Sequence, residues 1–194
     1  MLLLAVGALA ALLATVVLPR LPDALRELTL PLRHADIIRQ QAVAKRLDPS
    51  LVAAVIYTES RFRPHVRSAS GAIGLMQLLP STAEGIATRT GGTRFVPSDL
   101  DDPELNVRYG AWYLRHLRQH YAGRANSMTL ALAAYNAGLA NVDSWVARTR
   151  PGQPLQIPAP FAETRAYLGR IEHARSVYER LYAGELGLSV RRSH

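Results

Sequence analysis

Glu59 closes a run in which Leu51, Val52, Val55 and Ile56 recur at helical spacing, and it falls four residues after Val55 and three after Ile56. A helix over this run sets the Glu59 carboxyl on an apolar face. A carboxylate there is costly to ionise, so its pKa rises and it keeps a proton near neutral pH, which is what a general acid needs. The plainer use of such a residue is to reach solvent or to pair with Arg61 or Arg63. What accompanies Glu59 along the chain decides between the two.

Glu59-Ser60-x-Phe62-x-Pro64 is followed by Ser70-Gly71-Ala72-Ile73-Gly74-Leu75-Met76-Gln77 and by Pro80-x-Thr82-Ala83. Then come Asp102-Pro103-x-x-Asn106, Ala133-Ala134-Tyr135-Asn136-Ala137-Gly138 and Glu163-Thr164-Arg165-x-Tyr167. In order and spacing these segments resemble the soluble-lytic-transglycosylase family over roughly His34 to Tyr182. Each segment alone is a weak signal; together they are specific. The resemblance implies a goose-type-lysozyme-like, mainly helical fold. It also implies cleavage of the β-1,4 bond between N-acetylmuramic acid and N-acetylglucosamine in peptidoglycan. Glu59 matches the family's catalytic glutamate, which protonates the glycosidic oxygen and then acts as base. The muramoyl C6 hydroxyl attacks in place of water, so the product carries a 1,6-anhydromuramoyl end. Ordinary glycosidases flank the bond with two carboxylates, and no second Asp or Glu stands in a comparable motif near Glu59.

By the same resemblance Ser60, Gly74, Met76, Gln77, Tyr135, Asn136, Glu163 and Tyr167 are expected to bind substrate. Each has a plainer alternative. Ser60 can be a helix-terminal serine bonded to backbone. Gly71 and Gly74 permit a close backbone approach or a positive φ in a turn. Met76 can be core packing instead of a sugar contact, whereas Gln77 offers both a donor and an acceptor to hydroxyls and amides. Tyr135 is expected to approach the catalytic carboxyl and Asn136 to hold the acetamido group, although a helix-end Asn can simply be a cap. Glu163 and Tyr167 share a helix face at i, i+4, where Glu163 can instead form a salt bridge. Asn106 reads as a tie between helices and, with Arg108, is left outside the site. The chain departs from the family pattern at Leu168, where Val is usual, and in extra residues from Ile157 to Phe161, both at the rim of the cleft.

Positioning these groups takes a series of helices. His34 to Leu47 reads as one, and Asp48-Pro49 supplies a cap and a first-position proline for the next, which carries Glu59. Ser81-x-x-Glu84 spells a capping box, and Asp102-Pro103 opens a longer helix expected to stop at Gly123. Ser127 to Ala137, Val142 to Arg148 and Phe161 to Ala183 complete the set. The expected fold class is all-α, and the turn from Ser70 to Leu78 is the one place where a short β-hairpin could interrupt the helices.

With 194 residues there is room for one domain and an extra segment, and a composition 48% hydrophobic and 20% charged is that of a folding chain. The organisation expected is a hydrophobic segment over 1–19, a linker over 20–33, a catalytic domain over 34–184 and a basic tail over 185–194. Leu2 to Leu18 are apolar apart from Thr15, long enough for a short membrane anchor and longer than most signal-peptide cores. The lack of a small-x-small cleavage site favours an uncleaved anchor helix. Arg20, Arg26 and Arg33 follow it, a charge pattern that by itself would keep the body in the cytoplasm. The site chemistry outweighs that count, so the expected location is the extracytoplasmic face of the cell envelope, anchored or secreted.

The net charge of +8 suits an anionic partner such as cell wall. Its arginines are scattered without basic blocks or interleaved aromatics, which argues against nucleic acid. There is no cysteine, so thiolate chemistry and Cys-ligated zinc are excluded. His116 and His120 have the i, i+4 spacing of a metal pair without a third ligand, so neither a metal nor a cofactor is expected. Two rival functions share the residues: a muramidase that admits water to the same bond, and a non-catalytic glycan-binding or scaffold domain. Oligomeric state is not legible.

Overall fold

The structure, a computed structural model, describes residues 30–92, 94–149, 153 and 156–188. The hydrophobic segment, most of the linker and the end of the basic tail lie outside the described residues. Among those described, no helix is long and apolar enough to cross a membrane.

Seven α-helices are present among the described residues: α1 (Ala35–Lys45), α2 (Pro49–Ser60), α3 (Pro80–Thr90), α4 (Pro103–His120), α5 (Ser127–Ala137), α6 (Leu139–Arg148) and α7 (Ala162–Leu181). Short 3-10 turns over Pro97–Asp101 and Ala159–Phe161 precede α4 and α7. Their starts follow local chemistry. Asp48 accepts from the Ser50 amide at 2.8 Å and Asp102 from the Leu105 amide at 2.7 Å, each just ahead of a proline whose missing N–H leaves nothing to cap. The capping box expected at Ser81 and Glu84 is not formed. Pro80 is already the first residue of α3, so Ser81 lies too far inside the helix to cap it. Gly138, with φ 87° and ψ 145°, turns the chain so sharply that α6 begins at Leu139 rather than Val142. α4 ends at His120, ahead of the expected Gly123.

The hairpin expected between Ser70 and Leu78 is reduced to single bridges. Ile73 pairs with both Arg67 and Leu78, and no strand forms among the described residues.

α2 is the central helix, with Ser50 through Ile56 all buried. It packs on α7 and α1, while α4 packs on α5 and α1, and α5 also meets α6 and α7. A main core joins α1, α2, α4, α5 and α7, and a smaller one of Ile73, Leu78, Ala83, Ile86, Ala87, Leu100 and Tyr109 underlies the glycine-rich turn. Arg175 of α7 reaches Asp48 Oδ2 at 2.7 Å, tying α7 to the start of α2. Tyr178 and Tyr182 donate to the carbonyls of Pro31 and Leu30 at 2.9 Å each, pinning the entering chain against the same helix.

Candidate active site

Three helix segments and one turn bring the expected residues together. Glu59 is the penultimate residue of α2, which stops because Arg61 and Phe62 both take left-handed backbone, with φ 51° and 59°. Its side chain points toward α7, where Tyr167 donates its hydroxyl to Glu59 Oε1 at 2.7 Å. Burial lifts the Glu59 carboxyl from 4.5 to about 7. The Tyr167 bond opposes that rise, the charge of Glu163 adds to it and that of Arg170 subtracts from it. Arg63 does not pair with Glu59; its Nε turns to the Ser60 carbonyl at 3.1 Å.

Tyr135, near the end of α5, donates to the Met76 carbonyl at 2.8 Å, and its ring lies 5.5 Å from that of Tyr113. Burial first, and then the neighbouring Glu59 charge, hold the hydroxyls of Tyr135 and Tyr167 well above their ordinary pKa. Both stay protonated, so both act as donors. Tyr135 lies near enough to feel the Glu59 charge, but the hydrogen bond to the carboxyl comes from Tyr167, and the Tyr135 hydroxyl goes to the turn.

That turn is shaped by Asn106. The side chain is fully buried; its Nδ2 donates to the carbonyls of Ile73 and Leu100 at 2.9 Å each, and its Oδ1 accepts from the Met76 amide at 2.8 Å. Gly74 makes room for it: a Cβ there would stand 2.1 Å from Asn106 Nδ2, at a φ of 83° that side chains rarely adopt. Gln77 Nε2 donates to the Val66 and Gly74 carbonyls at 3.0 and 2.9 Å, so its amide closes the turn while the residue stays half-buried.

Three of the residues expected to bind substrate are buried. Met76 is fully buried, its side chain packed so tightly on Gly110 that a Cβ there would lie 2.3 Å from the sulfur. Ser60 is 1% exposed and its hydroxyl donates to the Ile56 carbonyl at 3.0 Å, the backbone bond of a helix-end serine. Gly74 is buried and serves the close approach to Asn106. Of the other expected residues, Gln77 and Tyr135 are half-buried, and Asn136 and Glu163 are exposed.

Asn136 is exposed, and its Oδ1 accepts from the hydroxyl of Thr164 at 2.8 Å. Glu163 pairs with Arg170 at 2.6 Å and remains largely in solvent. Thr164 and Arg170 carry no role in the sequence reading; each shares the α7 face of Glu163 or Tyr167 by helical spacing, which is the signal that points to them. The two histidines go elsewhere: His116 stacks on Trp112 with centroids 5.1 Å apart, and His120 meets Asp143 at 3.0 Å. Among the described residues no group of three His, Cys, Asp or Glu is arranged to hold a metal. What the arrangement offers is a carboxyl that titrates at neutral pH, held by a tyrosine donor at the mouth of an apolar helix pair.

The profile described as Transglycosylase SLT domain matches residues 36–155. The soluble lytic murein transglycosylase of Escherichia coli K12 is 31% identical over 159 residues, which are 80% of this chain and 24% of that protein. The soluble lytic murein transglycosylase of Salmonella typhimurium LT2 matches with the same identity and coverage. Among solved structures, lytic transglycosylase Slt from Pseudomonas aeruginosa, crystallised as an inactive glutamate-to-glutamine mutant, has a TM-score of 0.70 at 32% identity, covering 81% of this chain and 26% of that one. The complex of the 70-kDa soluble lytic transglycosylase with bulgecin A also has a TM-score of 0.70, at 29% identity, over 85% of this chain and 27% of that one. The chain spans about a quarter of the length of the curated relatives it matches.

Proposed function

The chain belongs to the Transglycosylase SLT domain family, and from that premise we propose that it is a peptidoglycan lytic transglycosylase in which Glu59 acts first as acid and then as base. The observation that carries the reading is the Glu59 carboxyl, raised to about 7 by burial and fixed by the Tyr167 hydroxyl. Near neutral pH it is divided between acid and carboxylate, and the reaction needs both forms in turn. That a glutamate-to-glutamine mutant of the Pseudomonas aeruginosa enzyme is inactive supports the use of a glutamate carboxyl.

With Tyr167 on Oε1, the proton sits on Oε2 and passes to the glycosidic oxygen, and the N-acetylglucosamine side leaves as an alcohol. The muramoyl C6 hydroxyl then bonds to the anomeric carbon and returns its proton to Glu59. No water is consumed and the enzyme ends as it began. Gln77, Asn136 and Glu163 are the residues that would meet sugar directly, with Tyr135 and Asn106 shaping the turn. The catalytic unit is taken as residues 34–184. The segment over residues 2–18 is taken to hold it at the extracytoplasmic face of the envelope.

One observation favours a second reading. Glu163 lies close enough for its charge to act on Glu59, so a muramidase could use it as the second carboxylate that guides water. Mass spectrometry of purified peptidoglycan digested by the chain, with Glu59→Gln in parallel, separates the readings. Anhydro ends, absent with Glu59→Gln, are the expected result. Fragments heavier by one water would establish the muramidase instead. No fragments from the unmodified chain would leave a binding domain.

A further inference from the structure

One side of α4 serves the catalytic turn: Asn106 and Gly110 meet it directly, and Tyr113 lies against Tyr135. Arg108, Trp112 and Arg115, spaced at i, i+4 and i+7, stand about half a turn round the helix from Gly110. There α4 borders two hollows of about 310 and 390 Å³, which share Trp112 and Lys45, the last residue of α1, in their walls. Arg115 and His116 line one, and Arg108 and Tyr109, with the end of α3, line the other. No Asp or Glu stands in either wall.

Arg67, Arg170 and Arg175 each meet a carboxylate. Among the described residues Lys45, Arg108 and Arg115 form no ion pair, and Arg108 instead lies over the Tyr109 ring at 5.8 Å. Cations gathered without a counter-ion repel one another, a cost that an anion seated among them removes. Between them Trp112 supplies an apolar plane, fixed by His116 stacked on it at 5.1 Å and 10°. The half-buried indole forms a wall and does not project as an interfacial membrane anchor does. One ring is also not the series on which successive bases stack. We propose that this face of α4 is a second, non-catalytic site for peptidoglycan, which seats the carboxylates of a strand's peptide side chains on Lys45, Arg108 and Arg115 and the apolar part between them on Trp112. The inference rests on the glycan-cleaving reading and adds where a neighbouring strand is held. Because the face lies across α4 from the catalytic turn, one domain holds one strand while cutting another, and the two contacts reinforce each other.

The test is sedimentation of the full chain, in a Glu59→Gln background that prevents turnover, with purified peptidoglycan and with the same material after its carboxyls are converted to neutral amides. The combined Lys45→Gln, Arg108→Gln and Arg115→Gln variant should bind untreated peptidoglycan about five- to tenfold more weakly, the loss of three surface ion pairs. It should also lose the preference for untreated over amidated material. Changing the exposed Arg33, Arg124 and Arg180 to Gln removes the same charge elsewhere and should cost much less. Equal losses in the two triple variants would leave only diffuse attraction and overturn the proposal, as would a groove variant that keeps the full preference. Unaltered strand binding with lost affinity for phosphatidylglycerol vesicles would assign the face to lipid and overturn it too. With Glu59 restored, the groove variant should cleave short soluble glycan fragments at the unmodified rate. Failure of the unmodified chain to cleave them would sink the transglycosylase reading alone.

Discussion

Glu59 keeps its proton because α2 ends inside the protein. Its folded pKa of about 7 stands above the ordinary 4.5, so the stability it lends is fully present below 4.5 and is lost as pH rises through 7. At about 1.4 kcal/mol per unit, the buried charge costs on the order of 3 kcal/mol at alkaline pH. Glu59→Gln, which never ionises, should therefore melt well above the unmodified chain at pH above 7 and close to it below 4.5; a gap independent of pH would remove burial as the cause. The acid role also requires the rate to fall as pH rises through 7. Glu163 raises that pKa and Arg170 lowers it. Glu163→Gln should accordingly move the alkaline limb of the pH–rate profile to lower pH and Arg170→Gln to higher pH. Each shift should be less than about one unit, because the pair is exposed and screened, and should shrink in high salt. Limbs that coincide in all three proteins would discount the pair.

At the scale of elements, the turn between α2 and α3 depends on a side chain from α4. Asn106 satisfies the Met76 amide and the Leu100 carbonyl and adds a second donor to the Ile73 carbonyl, which also accepts from the Leu78 amide at 3.1 Å. Asn106→Leu takes the partner from the first two, and should destabilise the fold by about 2 kcal/mol or more in chemical denaturation. Activity should suffer even where the variant is folded, because Tyr135 braces the same turn through the Met76 carbonyl. The helix starts at Asp48 and Asp102 were legible because capping is decided by the next three residues. At the start of α3 two local signals, Pro80 and Ser81, compete for one boundary, and the proline, the earlier of the two, sets it.

For the molecule as a whole, the +8 charge is carried mostly by scattered single arginines, which makes its attraction to an anionic wall diffuse. Sedimentation of the Glu59→Gln protein with purified peptidoglycan should decline steadily as salt is raised, since screening acts over about 10 Å at 0.1 M. Binding indifferent to salt would assign the association to the cleft alone.

The amino-acid sequence alone determined the helical class, the place of Glu59 at the end of an apolar helix and the structural part played by Asn106. Each of these is written in short-range spacing or in an ordered set of motifs. Only the tertiary structure decided which tyrosine holds the carboxyl, that Ser60 and Met76 turn inward, and that Thr164 bonds to Asn136. Those outcomes depend on how α2, α5 and α7 cross, on pairings of residues 108 and 28 positions apart. Helical periodicity names the face a residue occupies; it does not name the helix that face will meet.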